Sequence, residues 1–503
     1  MKRYLPLALT LLFPVFNAHA ATGTLEQTST KTAAEITIDK FENGLRGYYL
    51  IEGESQTANI RQQMNYYRIP GVSIAAIHDG RYVFVKAYGY KDNSTKQELL
   101  PTTLLQAASM SEPISVLGAL KLVSQGKLDL DRNINDYLIE WKVPNNKYTE
   151  KHPVTARLLM AHLAGTNVSG FPGIDSSVKD LPGVVDVLNG KKPLIKTDPV
   201  EVINIPGSAY AYSGGGTTIL QLAMMDITGQ DFPDWMKQNV LNPFAMTHST
   251  FEQPLPESYA VLTSSGHDKN GIVYKGKYYS YPEEAAAGLW TVPSEIIGIL
   301  NHLKMAYYGH CSPLNIESTV FAQMFTEQKP SPFGLGFMLE SAPEVFTFGY
   351  EGINDGFQSK MIAFVTPKNS KAKLLDDAIV IMSNSDNGHY ILDQLVNSFS
   401  DAYGIPYHKA IKVKPQSYPF GLNKYRISFS LKSSQAMKHK VIIKNKRLYL
   451  NWFDDDYLEQ LYYIGNNTFV TGSGYKLVYV WKNDKLFLDV TYQNNPSEAV
   501  STK

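Results

Sequence analysis

Between Ile114 and Val123 the chain carries apolar side chains around almost the whole circumference of a helix: Ile114, Val116, Leu117, Ala119, Leu120, Leu122 and Val123. A helix that is apolar all round is a buried one, so the fold must wrap other layers around this segment. The run is entered through Ala108-Ser109-Met110-Ser111-Glu112-Pro113 and left through Gly126-Lys127-Leu128-Asp129-Leu130-Asp131. Ser109 and Glu112 are three residues apart, which puts them on one helical face. Burial of the helix then fixes both against a rigid core.

The flanking segments supply a sheet. Val72 to Ile77 and Tyr82 to Tyr90 read as strands joined at Asp79-Gly80, a strong hairpin signal. A helix is expected over about Thr57 to Tyr67, ended by Ile69-Pro70-Gly71. From Asn133 to Thr250 the pattern is mainly helical with loops. Later apolar, glycine-punctuated runs read as further antiparallel strands and turns: Ala285 to Trp290, Phe333 to Phe337 and Ala378 to Ser383. A sheet begun near residue 72 and resumed after 330 gives one α/β (α+β) domain, an antiparallel sheet flanked by helices with a large helical insertion. After Tyr403-Gly404-Ile405-Pro406 the period changes to two, in runs such as Lys440 to Leu450, Glu459 to Ile464 and Lys485 to Tyr492, with turns at Asn466-Asn467 and Asn483-Asp484. Residues 406–503 therefore read as a small C-terminal all-β domain, and 57–405 as the main domain. Residues 21–56 form an N-terminal extension whose first part, 21–35, is rich in Thr, Ser and Ala and expected to be flexible.

Residues 1–20 read as an export signal. Lys2 and Arg3 precede an apolar stretch, Leu5 to Phe16, and Ala18-His19-Ala20 is a small-x-small cleavage site. The stretch is shorter than the roughly 20 residues of a membrane-spanning helix, and no later segment is long and apolar enough. A periplasmic or secreted protein beginning at Ala21 is the expectation. The 47 basic and 47 acidic residues cancel, so no global field favours nucleic acid or an anionic membrane. Cys311 is the only cysteine, which excludes an intramolecular disulfide. It reads as a structural or incidental thiol. His310, His389 and Asp386 lack metal-ligand spacing, and neither metal nor cofactor is expected. Basic residues between Lys409 and Arg447 read as the solvated face of alternating strands.

The Ser109 segment closely resembles the nucleophile helix of the class C β-lactamase and D-alanyl-D-alanine carboxypeptidase family of serine hydrolases. The resemblance extends over roughly residues 57 to 405, including Val154 to Gly165. In that family the serine opens an S-x-x-K motif; here the fourth residue is Glu112. Ser124 to Lys127 and Ser176 to Lys179 are literal S-x-x-K matches but read as chance, at a helix exit and in a loop. Pro206-Gly207, followed by Tyr212-Ser213-Gly214-Gly215-Gly216, resembles the family's second motif, which makes Tyr212 the proton-shuttling tyrosine and Gly214 a pocket position. Phe348-Gly349-Tyr350-Glu351-Gly352-Ile353-Asn354-Asp355-Gly356-Phe357 resembles its third, with Tyr350 where lysine or histidine belongs and Gly352 keeping the strand close to a ligand. The resemblance implies an oxyanion hole from the backbone N–H groups of Ser109 and Ile353. His162 reads as a structural residue of its turn.

Two functional readings follow. In one, Ser109, Glu112 and Tyr212 carry a weak or divergent acyl hydrolase acting on an ester, amide or peptide. In the other, a catalytically inactive relative binds a cell-envelope peptide or a protein partner; in either, the ligand is a small molecule or peptide, cell-wall fragments included. Glu112 decides between them: its ordinary pKa of about 4.3 makes it a weak base, and its charge opposes a developing oxyanion.

Overall fold

Strand Asp376–Ser383 lies at the centre of a seven-stranded, wholly antiparallel sheet, with Gly71–His78 beside it. Across the sheet the order is Gln97–Glu98, Arg81–Asp92, Gly71–His78, Asp376–Ser383, Phe357–Val365, Phe346–Asn354 and Met338–Ser341. This computed structural model describes residues 31–503 except 311–312, 419–420, 432–433, 453–456, 483–484, 494–497 and 502–503. The expected export signal, the start at Ala21, Cys311 and the Asn483-Asp484 turn lie outside the described residues.

The sheet is buried on both faces, and the period of two divides its side chains between two cores. Ala75, Ile77, Met361, Ala363, Val380 and Met382 face one core with the Ser111–Ser124 and Pro293–Tyr307 helices. Val72, Ile74, Ala76, Ile362, Phe364 and Ile381 face the other, covered by the His389–Tyr403 helix and by Phe41. The Ser111–Ser124 helix is buried almost throughout, as its all-round apolar surface demands.

Three local expectations are corrected. Glu284–Ala287 is a helical turn closed by Gly288 N donating to Glu284 O, and only Trp290–Thr291 pairs, with Leu105–Gln106; alanine-rich segments favour helix. Phe333 to Phe337 is a loop in which Gly336, at φ +89, passes against Val116. Of the stretch expected to be flexible, residues 21–30 lie outside the described residues, and 33–35 are helical. Thr32 and Glu35 form a capping box on helix Ala33–Asn43, which places Phe41 and Leu45 in the second core.

The C-terminal part is an eight-stranded antiparallel meander in chain order, from Ile427–Leu431 to Glu498–Ser501, around Phe429, Leu448, Leu461, Phe469, Tyr479 and Leu488. Tyr49–Ile51 pairs in parallel with Ile411–Val413, and Tyr49 N donates to Gly472 O, so the extension ties the two parts together.

Candidate active site

Ser109 occupies a single tight turn, Ala108–Met110, that runs straight into the Ser111–Ser124 helix. Ala108 has φ +51, a left-handed conformation that costs a non-glycine residue about 1–2 kcal/mol. The surroundings hold it there. Ser111 Oγ donates to Ala108 O at 2.6 Å, Ala107 N donates to Leu289 O at 2.8 Å, and Ser359 Oγ donates to Ala107 O at 2.7 Å. The sharp turn leaves the Ser109 side chain half-buried while Ala108 and Met110 are covered.

Glu112 follows one turn later, 2% exposed, in the first turn of its helix. The helix dipole favours a negative charge at that end. Thr217 Oγ1 donates to Glu112 Oε2 at 2.5 Å, and the Tyr212 hydroxyl donates to Oε1. Burial pushes the carboxyl up to about 7, while the hydroxyls of Thr217, Tyr212 and Tyr350 pull the other way. Glu112 is therefore balanced between its two forms at neutral pH.

Tyr212 is placed by the start of the Gly214–Thr228 helix. Ser213 caps that helix, accepting from Gly216 N at 3.0 Å and donating to Val168 O at 2.7 Å. The Tyr212 hydroxyl lies 2.9 Å from Ser109 Oγ and also touches Glu112. Burial and the Glu112 charge push the phenol well above its ordinary value, so it stays protonated. A phenol has one proton to give. With Glu112 ionised, that proton goes to the carboxylate, and the Ser109 hydroxyl is left to donate to the tyrosine oxygen. The three groups form one continuous proton path.

Tyr350 enters from the Phe346–Asn354 strand. Its buried hydroxyl lies 2.9 Å from His162 Nε2 and abuts Glu112 and Tyr212. Ser213 N donates to His162 Nδ1 at 3.3 Å, so Nε2 carries the ring proton and donates to Tyr350. Burial drives the imidazole down to about 3. The 3.7 Å approach of Nε2 to Glu112 Oε2 is thus not an ion pair. His162, Tyr210, Phe333 and Tyr350 form an aromatic wall beside this path: Phe333 meets His162 edge-on at 4.9 Å and stacks on Tyr210 at 5.6 Å.

The strand Met338–Ser341 pairs only with Phe346 to Gly349, so from Tyr350 onward that edge of the strand faces the Ser109 turn. Gly352 makes the approach possible: a Cβ there would meet Ala107 O at 2.2 Å and Ser359 Oγ at 2.4 Å. The Ile353 side chain is exposed, and Asn354 Nδ2 ties the strand to Gln106 Oε1 at 2.7 Å. The turn that follows is set by Asp386, which accepts from Gly356 N and Tyr274 Oη, both at 2.6 Å. Asp386 thus shapes the strand end.

Ser109, Glu112, Tyr212, Tyr350 and Gly352 therefore converge. Gly214 does not line the cluster in the same sense: its N–H goes to Ser169 O at 3.1 Å, and it packs the first turn of its helix. Of the two chance motifs, Ser124 Oγ accepts from Glu317 N and Ser176 Oγ donates to Gly276 O; neither meets its lysine through the hydroxyl. Reading the sequence missed Thr217 and the aromatic wall, and it gave His162 no role toward Tyr350. Thr217 carried a faint signal, five residues after Tyr212 on the first turn of the glycine-led helix.

Residues 57–394 match the family model described as Beta-lactamase. Protein flp of Staphylococcus aureus (strain N315) is 28% identical over 237 residues, 47% of this chain and 44% of that protein. The mitochondrial serine beta-lactamase-like protein LACTB of Mus musculus is 36% identical over 97 residues, 19% of this chain and 17% of that one. The chain thus spans less than half the length of the curated relatives it matches. Among solved structures, the octameric penicillin-binding protein homologue from Pyrococcus abyssi superposes with a TM-score of 0.58 at 18% identity, covering 88% of this chain and 98% of that one. D-alanine carboxypeptidase AmpC from Burkholderia cenocepacia gives 0.52 at 17% identity, covering 73% and 99%. These similarities establish the fold.

Proposed function

This chain belongs to the β-lactamase family, and we propose that it is an exported serine hydrolase of weak or divergent activity, cleaving an ester, amide or peptide through an acyl-Ser109 intermediate. The observation that carries this reading is the unbroken path from Ser109 through Tyr212 to a carboxyl poised near pH 7. A base works best when its pKa lies near the working pH.

Ser109 Oγ attacks the carbonyl carbon while its proton passes to the Tyr212 oxygen and the Tyr212 proton passes to Glu112. Backbone N–H groups of Ser109 and Ile353, assigned by family resemblance, receive the oxyanion. Glu112 is neutral at the moment the oxyanion forms, so the site carries one negative charge before and after. This removes the objection that a carboxylate must repel the intermediate. On collapse, the bond to the leaving group breaks and the Glu112 proton returns through Tyr212 to that group. Water then attacks the acyl-serine, and the same path runs again.

Among the described residues, the hydroxyl path meets no lysine, and its one imidazole, His162, is neutral. A substrate carboxylate would find no cation there, so uncharged esters or amides with an apolar acyl part against Tyr210 and Phe333 fit best. Export follows from the leader, with cleavage after Ala20 to be read by N-terminal analysis of secreted material.

The deciding experiment treats mature protein with a fluorophosphonate and reads intact mass, with Ser109→Ala alongside. Fluoride leaves as a phosphorus–Oγ bond forms. A gain lost in the variant supports the hydrolase. No gain in folded protein favours the second reading, an inactive relative that binds a peptide or small molecule; what supports that one is a carboxylate whose two oxygens are already engaged by hydroxyls.

A further inference from the structure

Behind the sheet, on the side away from Ser109, the His389–Tyr403 helix, the N-terminal extension and the β meander line a half-open cavity of about 520 Å³. That lies within the size range of small-molecule sites. Its walls include two groups of aromatic rings. Tyr67 and Tyr390 stack with centroids 4.6 Å apart and 7° between planes. From the meander, Trp452, Tyr475 and Tyr492 form a second row, at 4.3 and 4.5 Å.

Three carboxyl side chains line the same space: Glu54, Asp393 and Glu459. Glu459, on the meander strand Leu458–Gly465, lines the cavity with both ring groups, near enough for its charge to act on the phenols of Tyr67 and Tyr475. Its described partners are neutral: the hydroxyls of Ser473 and Thr471 and the Ser473 amide. Burial pushes its carboxyl up, the cost of a charge without a counter-charge. Asp393 differs, since Lys360 Nζ meets it at 2.5 Å and also pairs with Glu351 at 2.5 Å. The Tyr492 hydroxyl and Gln493 Nε2 donate to its other oxygen. Arg46 lines the cavity as well, but its guanidinium is committed to Asp401 and to the carbonyls of Gly47 and His408.

We propose that this interdomain cavity binds a small organic cation, held by Glu459 between the aromatic faces of Tyr67, Tyr390, Trp452 and Tyr475. Ring faces attract cations through their quadrupole, and the attraction grows when water is excluded. Glu459 supplies the charge that neutral donors leave unmatched. An anion would be repelled by Glu459, and a neutral guest would desolvate that carboxylate without compensation. The shared chemistry is an ammonium, quaternary ammonium or guanidinium group. The site is independent of the acyl chemistry at Ser109.

Calorimetric titration of the mature full-length protein tests this with choline, cadaverine and agmatine, against 3,3-dimethylbutanol as an uncharged choline isostere. The expected result is saturable one-to-one binding of at least one cation. The isostere should bind at least about tenfold more weakly. Ser109→Ala should bind like the parent, and Glu459→Gln should lose at least about tenfold in affinity. Tyr475→Leu, in the meander's row of rings, should weaken binding as well. Should Glu459→Gln fail to fold, Tyr475→Leu and the isostere still decide. Equal binding of the isostere, or no saturable binding of any cation by folded protein up to about 10 mM, would overturn the proposal. Loss of binding in Ser109→Ala would do the same by moving the site to the serine.

Discussion

Thr217 Oγ1 donates to Glu112 Oε2 at 2.5 Å, so the first turn of the Gly214–Thr228 helix tunes a carboxyl on the first turn of the Ser111–Ser124 helix. That bond favours the charged form. Thr217→Val removes the donor and keeps the shape. The pH–rate profile for fluorophosphonate labelling or ester cleavage should move to higher pH, with the high-pH plateau largely kept. An unmoved midpoint would mean that Glu112 is not the titrating base.

Tyr212→Phe cuts the path between Ser109 and Glu112 while leaving the ring in place. Positioned proton transfer contributes about 100- to 10,000-fold, so labelling of Ser109 should slow by that order. Circular dichroism should be unchanged. A variant that labels at the parental rate would show that Ser109 passes its proton elsewhere.

Glu112→Gln bears on both rate and stability. Acylation needs the ionised form, so parental activity should rise with pH through about 7, and the variant should lack that rise and lose about 100-fold or more. For stability the sign runs the other way. The folded protein holds a proton on Glu112 up to about 7, whereas an unfolded chain releases it near 4.5. The folded state binds more protons between these values, so parental stability falls as pH rises across that window, by up to about 3 kcal/mol. Glu112→Gln lacks this slope, and denaturant melts should show it gaining on the parent from pH 4.5 to 7 and holding steady above.

Gly352→Ala places a methyl against Ala107 O and Ser359 Oγ, at 2.2 and 2.4 Å in the present geometry. The strand must back away from the Ser109 turn. Overpacking of this kind costs about 1–3 kcal/mol, and a displaced oxyanion donor costs about 100- to 1,000-fold in rate. Melting and labelling should therefore both suffer, with activity lost in protein that is still folded at 25 °C. Parental labelling would remove this strand from the oxyanion site.

Much of the scaffold was legible because its signals are local. The Asp79-Gly80 hairpin, strand Asp376–Ser383 and the two-residue period of the meander repeat within a few residues. The same reasoning failed at Ala285 to Trp290 and Phe333 to Phe337. Short apolar runs broken by glycine suit a buried helical turn or loop as well as a strand. Ordering of Ala33–Asn43 was also readable, in Thr32 and Glu35, but composition outweighed the cap.

The sequence by itself determined where Ser109, Glu112, Tyr212 and Tyr350 stand along the chain and that the Ser111–Ser124 helix must be buried, because motif spacing and helical periodicity are properties of neighbours. Only the tertiary structure decided what Glu112 is. Its ordinary pKa makes it a poor base and a hostile charge. Burial against the sheet, with hydroxyls from Tyr212 and Thr217, 100 and 105 residues away, brings it to about 7 and links it to Ser109. Desolvation and hydrogen bonding act through space, and the distance from Glu112 to Tyr350 along the chain says nothing of the cluster in which they meet.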